Sequence, residues 1–308
     1  MASLQFATIA RAEEGGTGHY FPGSMASFVD GVPAEPTFIL RLNVATYDGS
    51  ADATRQFSIA GSVVADVEAE SLVLGLTLLW APDWDLGENW SYAMSATIPW
   101  VDLTVSADVG DPGSNLSIHR TDAESGLGDM VLIPLMFNYR VDSDLNFNLR
   151  LALYAPTGDY EVGRLANPGK NFWTVEPTIA VIYLGQKNGI EASLFFGVDF
   201  NAENEDTNYQ SGTQAHLDGT LAQHFPLWGG LAGAGVSGYW YRQVEGDSGS
   251  GATLGDFKAR ANGIGPVVSW TARKGNTDVI AELKWLHEFD NKNRLEGDVV
   301  WFKLVGKF

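Results

Sequence analysis

Strict alternation of apolar and polar residues recurs along this chain of 308 residues, and no segment of ten or more holds a 3.6-residue period. Period two places alternate side chains on opposite faces of a strand, so such a chain builds its structure from sheet. The clearest run is 145–154, where Leu145, Phe147, Leu149, Leu151 and Leu153 alternate with Asn146, Asn148, Arg150, Ala152 and Tyr154. Ile190–Phe200 repeats the pattern, with Phe195 as an exception on its polar row. Phe38, Leu40, Leu42 and Val44 alternate with Ile39, Arg41, Asn43 and Ala45. The last strand runs to the final residue: Val300, Phe302, Leu304, Gly306 and Phe308 form one row, and Lys303 and Lys307 stand on the other.

A strand with one apolar row and one charged row fits a barrel wall, lipid outside and water inside. No apolar run approaches the roughly 18–20 residues of a membrane helix. The longest, Leu72–Trp80, is interrupted by Gly75 and Thr77. A chain that crosses a bilayer with strands must close them into a barrel, because an open edge cannot be left in lipid. About twelve strands are legible, near 36–48, 70–82, 90–109, 127–140, 145–156, 172–185, 190–200, 213–225, 230–244, 256–272, 277–288 and 295–308. Their connections alternate long and short: 49–69, 110–126, 157–171, 201–212 and 245–255 against tight turns such as Val141-Asp142-Ser143-Asp144 and Gln186-Lys187-Asn188-Gly189. The fold class expected is all-β: an antiparallel up-and-down transmembrane β-barrel of about twelve strands, with long extracellular loops, short periplasmic turns and both termini on the short-turn side. Residues 55–69 also alternate, so a hairpin within that loop would change the count by two. No interdomain linker is apparent. Residues 13–308 read as a single barrel domain. Residues 1–12 read as a remnant or replaced signal region, or a plain N-terminal arm, because Ala10-Arg11-Ala12 is cleavage-like but lacks a basic n-region before it.

With 19 basic and 38 acidic residues the formal charge is −19, which excludes nucleic acid as a partner. The 35 glycines, 16 Phe, 10 Tyr and 10 Trp suit tight turns and aromatic girdles. Trp80, Trp84, Trp90, Trp100, Trp228, Tyr239 and Trp285 fall near strand ends or short turns, as interface anchors do. Cysteine is absent, so there is neither a disulfide framework nor a thiolate site. No nucleophile elbow, Walker loop or dinucleotide fingerprint occurs. His216 and His224 share a strand face but stand roughly 27 Å apart, too far for one metal. The acidic segment Asp199–Asp206 lacks EF-hand spacing. Neither a catalytic set, a metal nor a cofactor is therefore expected, although a Ser-His pair on different strands would make a barrel hydrolase.

Several short motifs then come in a fixed order: Glu14-Gly15-Gly16 with His19-Tyr20-Phe21-Pro22-Gly23, Gly126-Leu127-Gly128-Asp129 with Pro134, and Pro156-Thr157-Gly158-Asp159-Tyr160. Asn167 to Thr174, Asn208 to Gly212, Gly238 to Gln243 and Gly263-Ile264-Gly265-Pro266 follow. Together they resemble the SphA-like outer-membrane channels, the MetA-pathway-of-phenol-degradation family, over nearly the whole chain. The terminal Phe308 likewise resembles the assembly signal of bacterial outer-membrane barrels. The resemblance implies a barrel in the bacterial outer membrane that admits small hydrophobic or aromatic molecules; a monomer among lipid and lipopolysaccharide, without enzymatic activity, is the expectation. A narrow porin for small polar or charged solutes is the alternative.

On that reading one row of each strand faces the lumen and can line a path. It brings Arg41, Arg150, Glu176, Glu191, Asp218, Lys258, Arg260, Glu282, Lys284 and Lys303 inward, charges of both signs. The strand 127–140 is apolar on both rows, so Met130, Leu132, Pro134 and Met136 are expected to form a greasy strip inside, suited to varied apolar ligands. Pro134 and Gly265-Pro266 cannot complete a ladder, and each is expected to kink the wall. Such a kink either opens a lateral gap or simply bends the barrel; unbroken pairing on both sides of the prolines would rule out the gap. Tyr160, Trp173 and Tyr209 are expected as aromatics at the entrance.

Overall fold

The computed structural model describes residues 17–110, 117–254 and 258–308. Residues 1–12, and Glu14-Gly15-Gly16, lie outside the described residues. The strands are β1 (Thr37–Ile59), β2 (Ser62–Ala81), β3 (Trp90–Gly110), β4 (Ser117–Leu127), β5 (Met130–Arg140), β6 (Leu145–Ala155) and β7 (Thr174–Leu184). They continue as β8 (Ile190–Asn201), β9 (Gln214–Leu227), β10 (Gly230–Gln243), β11 (Arg260–Lys274), β12 (Thr277–Lys292) and β13 (Glu296–Lys307). Every pairing is antiparallel, each strand except β4 and β5 lies beside both its chain neighbours, and β1 pairs with β13 from Ile39↔Lys307 to Ser50↔Glu296, which closes the barrel. β4 and β5 pair with the two halves of β3, one above the other, and so make a single stave. The wall thus has twelve staves.

The exterior reverses the burial rule of a soluble protein. Leu40, Leu74, Leu76, Leu78, Ile98, Leu149, Leu194, Leu221 and Leu283 are all exposed, and Lys303, Lys284, Glu176 and Glu191 are fully buried. That arrangement is stable where the outer solvent is hydrocarbon. Aromatic residues gather at the short-turn end, where Phe38, Trp80, Trp84 and Tyr92 form a run of ring contacts and Trp90 packs on Tyr139. Tyr239 is not one of these anchors: it is buried in the lumen and donates to Glu288. The short turns use residues with positive φ, as at Trp228-Gly229 (50° and 74°), which sets the twist that a two-residue hairpin needs.

Two long connections differ from expectation. Residues 49–69 do not loop: β1 and β2 run on past a register shift at Ala51/Gln56 and meet at the tight turn Ala60-Gly61. The alternating row at 55–69 extends existing strands, so the stave count stays at twelve. Residues 117–126 also form strand, β4, laddered to β3 from Trp100↔Leu127 to Gly110↔Ser117.

Candidate functional site

The lumen is filled by the chain's own segment 17–36, which precedes β1 and contains a single 3-10 turn, Phe28–Asp30. A polar segment can sit inside a barrel only if its backbone and charges find partners, and the inward rows supply them. Tyr20 donates its hydroxyl to Asp218 (2.8 Å) and stacks on His216 at 3.9 Å between ring centroids. The Gly23 amide donates to the same carboxylate (2.9 Å), the Phe28 amide to Glu191 (2.8 Å) and the Val32 amide to Asn148 (3.1 Å). Ser27 donates its hydroxyl to Glu282. The Trp301 indole donates to the Pro22 carbonyl (2.8 Å).

Asp30 is the centre of this plug. It is 1% exposed and receives Lys303 on both oxygens (2.6 and 2.7 Å) and Arg41 Nη1 (3.0 Å). Arg150 donates to its main-chain carbonyl. Burial alone would push the Asp30 carboxyl up, but Lys303, Arg41 and Lys284 outweigh it and hold it well below the usual carboxylate range. Burial, with Asp218 beside it, pushes the Tyr20 hydroxyl up, so it stays a donor.

Beneath Tyr20, His216 lies among three carboxylates. Nδ1 is 3.1 Å from Asp218, and Nε2 is 3.5 Å from Glu176 and 3.9 Å from Asp199. Tyr154 and Thr178 donate to Glu176 at 2.5 and 2.7 Å. Glu176, Asp199 and His216 bring ligand atoms within 4.8 Å of one another, a donor set that suits a transition-metal ion. As it stands the geometry is that of an ion cluster under the plug.

The plug does not fill the barrel evenly. Against β1–β3 it leaves two adjoining cavities, of about 180 Å³ and about 260 Å³, with Gly18, Phe21, Val73, Val101, Pro168 and Lys170 lining both. The smaller lies under the long connections, between Tyr160, Leu165, Leu295, Val67 and Leu103. The larger reaches down past Val101, Ile133, Met136 and Leu79, with Asp30, Arg41 and Arg150 also in its wall.

The larger cavity adjoins the one stave that is not continuous. Gly128-Asp129 separate β4 from β5, and among the described residues β4 is laddered only to β3. The loop 156–173 covers this break. Asp159 donates its amide to Leu127 (2.8 Å), Leu165 to Asp122 (2.8 Å), and Asp129 receives the Gly158 and Lys170 amides and His19. Pairing also breaks on both flanks of Pro134, between Ala93/Ser95 and between Leu132/Leu135. Beside Pro266 it is interrupted towards β12 only. The condition that would have ruled out a lateral gap is therefore not met at Pro134.

The family model described as "Putative MetA-pathway of phenol degradation" matches residues 54–304. The chain belongs to this family. Among solved structures, this phenol-degradation-family barrel is similar to the COG4313 outer membrane channel from Pseudomonas putida F1: 18% identity, 94% of this chain and 100% of that one covered, TM-score 0.63. The beta domain of the Bordetella autotransporter BrkA is 11% identical over 89% of this chain and 99% of that one, at a TM-score of 0.48. A Pseudomonas aeruginosa FadL homologue is 9% identical over 89% and 90%, at 0.38. No curated protein matches. The fold is that of an outer-membrane barrel.

In this family member Arg41, Arg150, Glu176, Glu191, Asp218, Glu282, Lys284 and Lys303 all point inward, as their strand rows require, but they hold the plug or one another instead of facing an open pore. Lys258 and Arg260 do not point inward. Ala259, Ala261 and Gly263 take the inner row, so Lys258 is exposed before β11 and Arg260 pairs with Asp290 at the surface. The apolar residues of β5 that line the larger cavity are not the expected set. The bulge at Pro134 adds one residue, so Val131 and Ile133 face inward before it and Met136 after it. Met130, Leu132 and Pro134 stand on the other row and line neither cavity. Of the entrance aromatics, Tyr160 borders the smaller of these two cavities, and Trp173 and Tyr209 border neither. Tyr209 is buried and donates to Asp247 at 2.5 Å, and Trp173 is half exposed on the outer row beside β7. The residues that sequence reasoning missed are Asp30 and the rest of the plug. The motif 19–23 was the signal present, but a motif does not say which face of the wall it meets.

Proposed function

We propose that this barrel is a monomeric outer-membrane channel for the passive entry of small hydrophobic or aromatic molecules, which move along the apolar side of the plug. The observation that carries the reading is the pair of adjoining apolar cavities between the plug and β1–β3, placed under the long connections at one end and beside the broken stave at the other. The inner charges of β6, β8, β9, β12 and β13 are largely engaged in hydrogen bonds to the plug. Membership of the phenol-degradation family and the likeness to the COG4313 outer membrane channel support this reading. Exit is through the bilayer side of the wall, where, among the described residues, the loop 156–173 closes the edge of β4. The test is uptake of a labelled monoaromatic hydrocarbon by cells with and without the protein, beside single-channel conductance of the purified barrel. Faster uptake with little conductance is expected. Clear ion conductance with no difference in uptake would instead favour a narrow porin.

A further inference from the structure

The larger cavity is apolar over most of its wall and strongly basic at one place. Arg41 and Arg150 both contribute to its lining, and neither guanidinium is fully used by the plug. Arg41 gives Nη1 to Asp30 and Nη2 to the Val29 carbonyl (2.8 Å). Arg150, 4% exposed, gives Nη2 to the Asp30 carbonyl and to Asn148 (2.9 Å); among the described residues its Nη1 meets the Met25 sulfur at 3.4 Å, and the guanidinium lies over the Phe195 ring at 5.2 Å from its centroid. Nε of each is buried without a hydrogen-bond partner. Lys303 and Lys284 complete a group of four cations, which touch two carboxylates, Asp30 and Glu282. Asp129, elsewhere on the same cavity wall, is already taken up by His19 and two amides.

Buried donors left unused and cationic charge in excess of the anions it touches both raise the energy of an empty site, and one anionic oxygen pair answers both. A guanidinium fork matches a carboxylate in shape as well as in sign. The remaining wall, including Val73, Val101, Ile133 and Met136, offers an apolar surface to the rest of the ligand. An apolar cavity of roughly 150 Å³ already accepts benzene, so about 260 Å³ holds a single ring with a head group.

We infer that this cavity binds a monoaromatic carboxylate, its carboxylate on Arg41 and Arg150 and its ring against Val73, Val101 and Ile133. The inference rests on the hydrophobic-uptake reading and narrows it to amphiphiles with one anionic head. The test is equilibrium dialysis of labelled benzoate, benzamide and toluene against the full-length protein in lipid nanodiscs, with empty nanodiscs subtracted. Benzamide keeps the shape of benzoate without its charge. Benzoate is expected to bind about tenfold more tightly than benzamide, the scale of charge-assisted hydrogen bonds. In Arg41→Gln and Arg150→Gln that ratio is expected to fall towards one. The wild-type comparison needs no substitution, so it stands even if Arg150→Gln fails to fold. Equal binding of benzoate and benzamide alongside clear toluene binding overturns the inference and leaves the uptake reading intact. Binding of none of the three overturns both.

Discussion

Asp30 shows how a residue with no motif around it can hold a molecule together. Its carboxylate pairs with both Lys303 and Arg41 in a buried place, and removing one partner of such a set typically costs about 3–5 kcal/mol. Asp30→Asn is therefore expected to undock the plug at neutral pH. The same contact fixes a pH dependence. A carboxyl held below its ordinary value contributes stability that is fully present above the unfolded pKa, about 4, and is lost as pH falls towards the lower folded value. Because the chain lacks cysteine, a spin label on Ser24→Cys reports docking cleanly. Its mobility is expected to stay low from pH 7 down to about pH 4, to rise in stronger acid, and in the Asp30→Asn background to be high throughout. At this scale the inward charges on β6 to β9 and β13 were legible, since a period-two row states which side chains share a face. Lys258 and Arg260 point outward because Ala259 and Ala261 are the buried ones in this strand, and two small residues carry no signal of the inner face.

Among the elements, the stave formed by β4 and β5 departs furthest from a plain ladder. Pro134 has no amide hydrogen to donate, the strand gains one residue there, and the inner row passes from Val131 and Ile133 to Met136. Tyr92 stabilises the bulge by donating to the Pro134 carbonyl at 2.5 Å. Above it, the loop 156–173 seals the break through close backbone packing. A Cβ on Gly158 would lie 2.6 Å from Gly169 Cα and 2.8 Å from the Gly128 carbonyl carbon, both unyielding backbone. Gly158→Ala is expected to lift the loop from the wall while the barrel still assembles. Limited proteolysis should then cut between 156 and 173 in the variant and spare the wild type; equal protection would show that the loop does not need this contact. Sequence periodicity located the proline and the two apolar rows. It could not show that the bulge changes which row is inner, because a one-residue shift depends on where the neighbouring strands place their own hydrogen bonds.

For the whole molecule, the plug is what occupies the lumen. Barrels of eight strands are filled by side chains and those of sixteen leave a water channel, so twelve staves enclose a lumen that needs something further to close it. Here the segment 17–36 does so, anchored on β1, β6, β8, β9, β12 and β13 at once. Deleting 17–36 is expected to raise single-channel conductance from near zero to the level of an open pore. Conductance unchanged from the wild type would mean that other parts of the wall close the lumen. What the sequence determined by itself is the barrel: the alternation of rows, the alternation of long and short connections and the absence of a helix-length apolar run admit few other arrangements, since a strand's two faces are set by local geometry alone. What only the tertiary structure decided is where the lumen is closed and where it is left open. The plug's partners lie up to 279 residues away in the chain, as Trp301 does from Pro22. Contacts of that range are chosen by the closed wall that brings them together, and no local pattern encodes them.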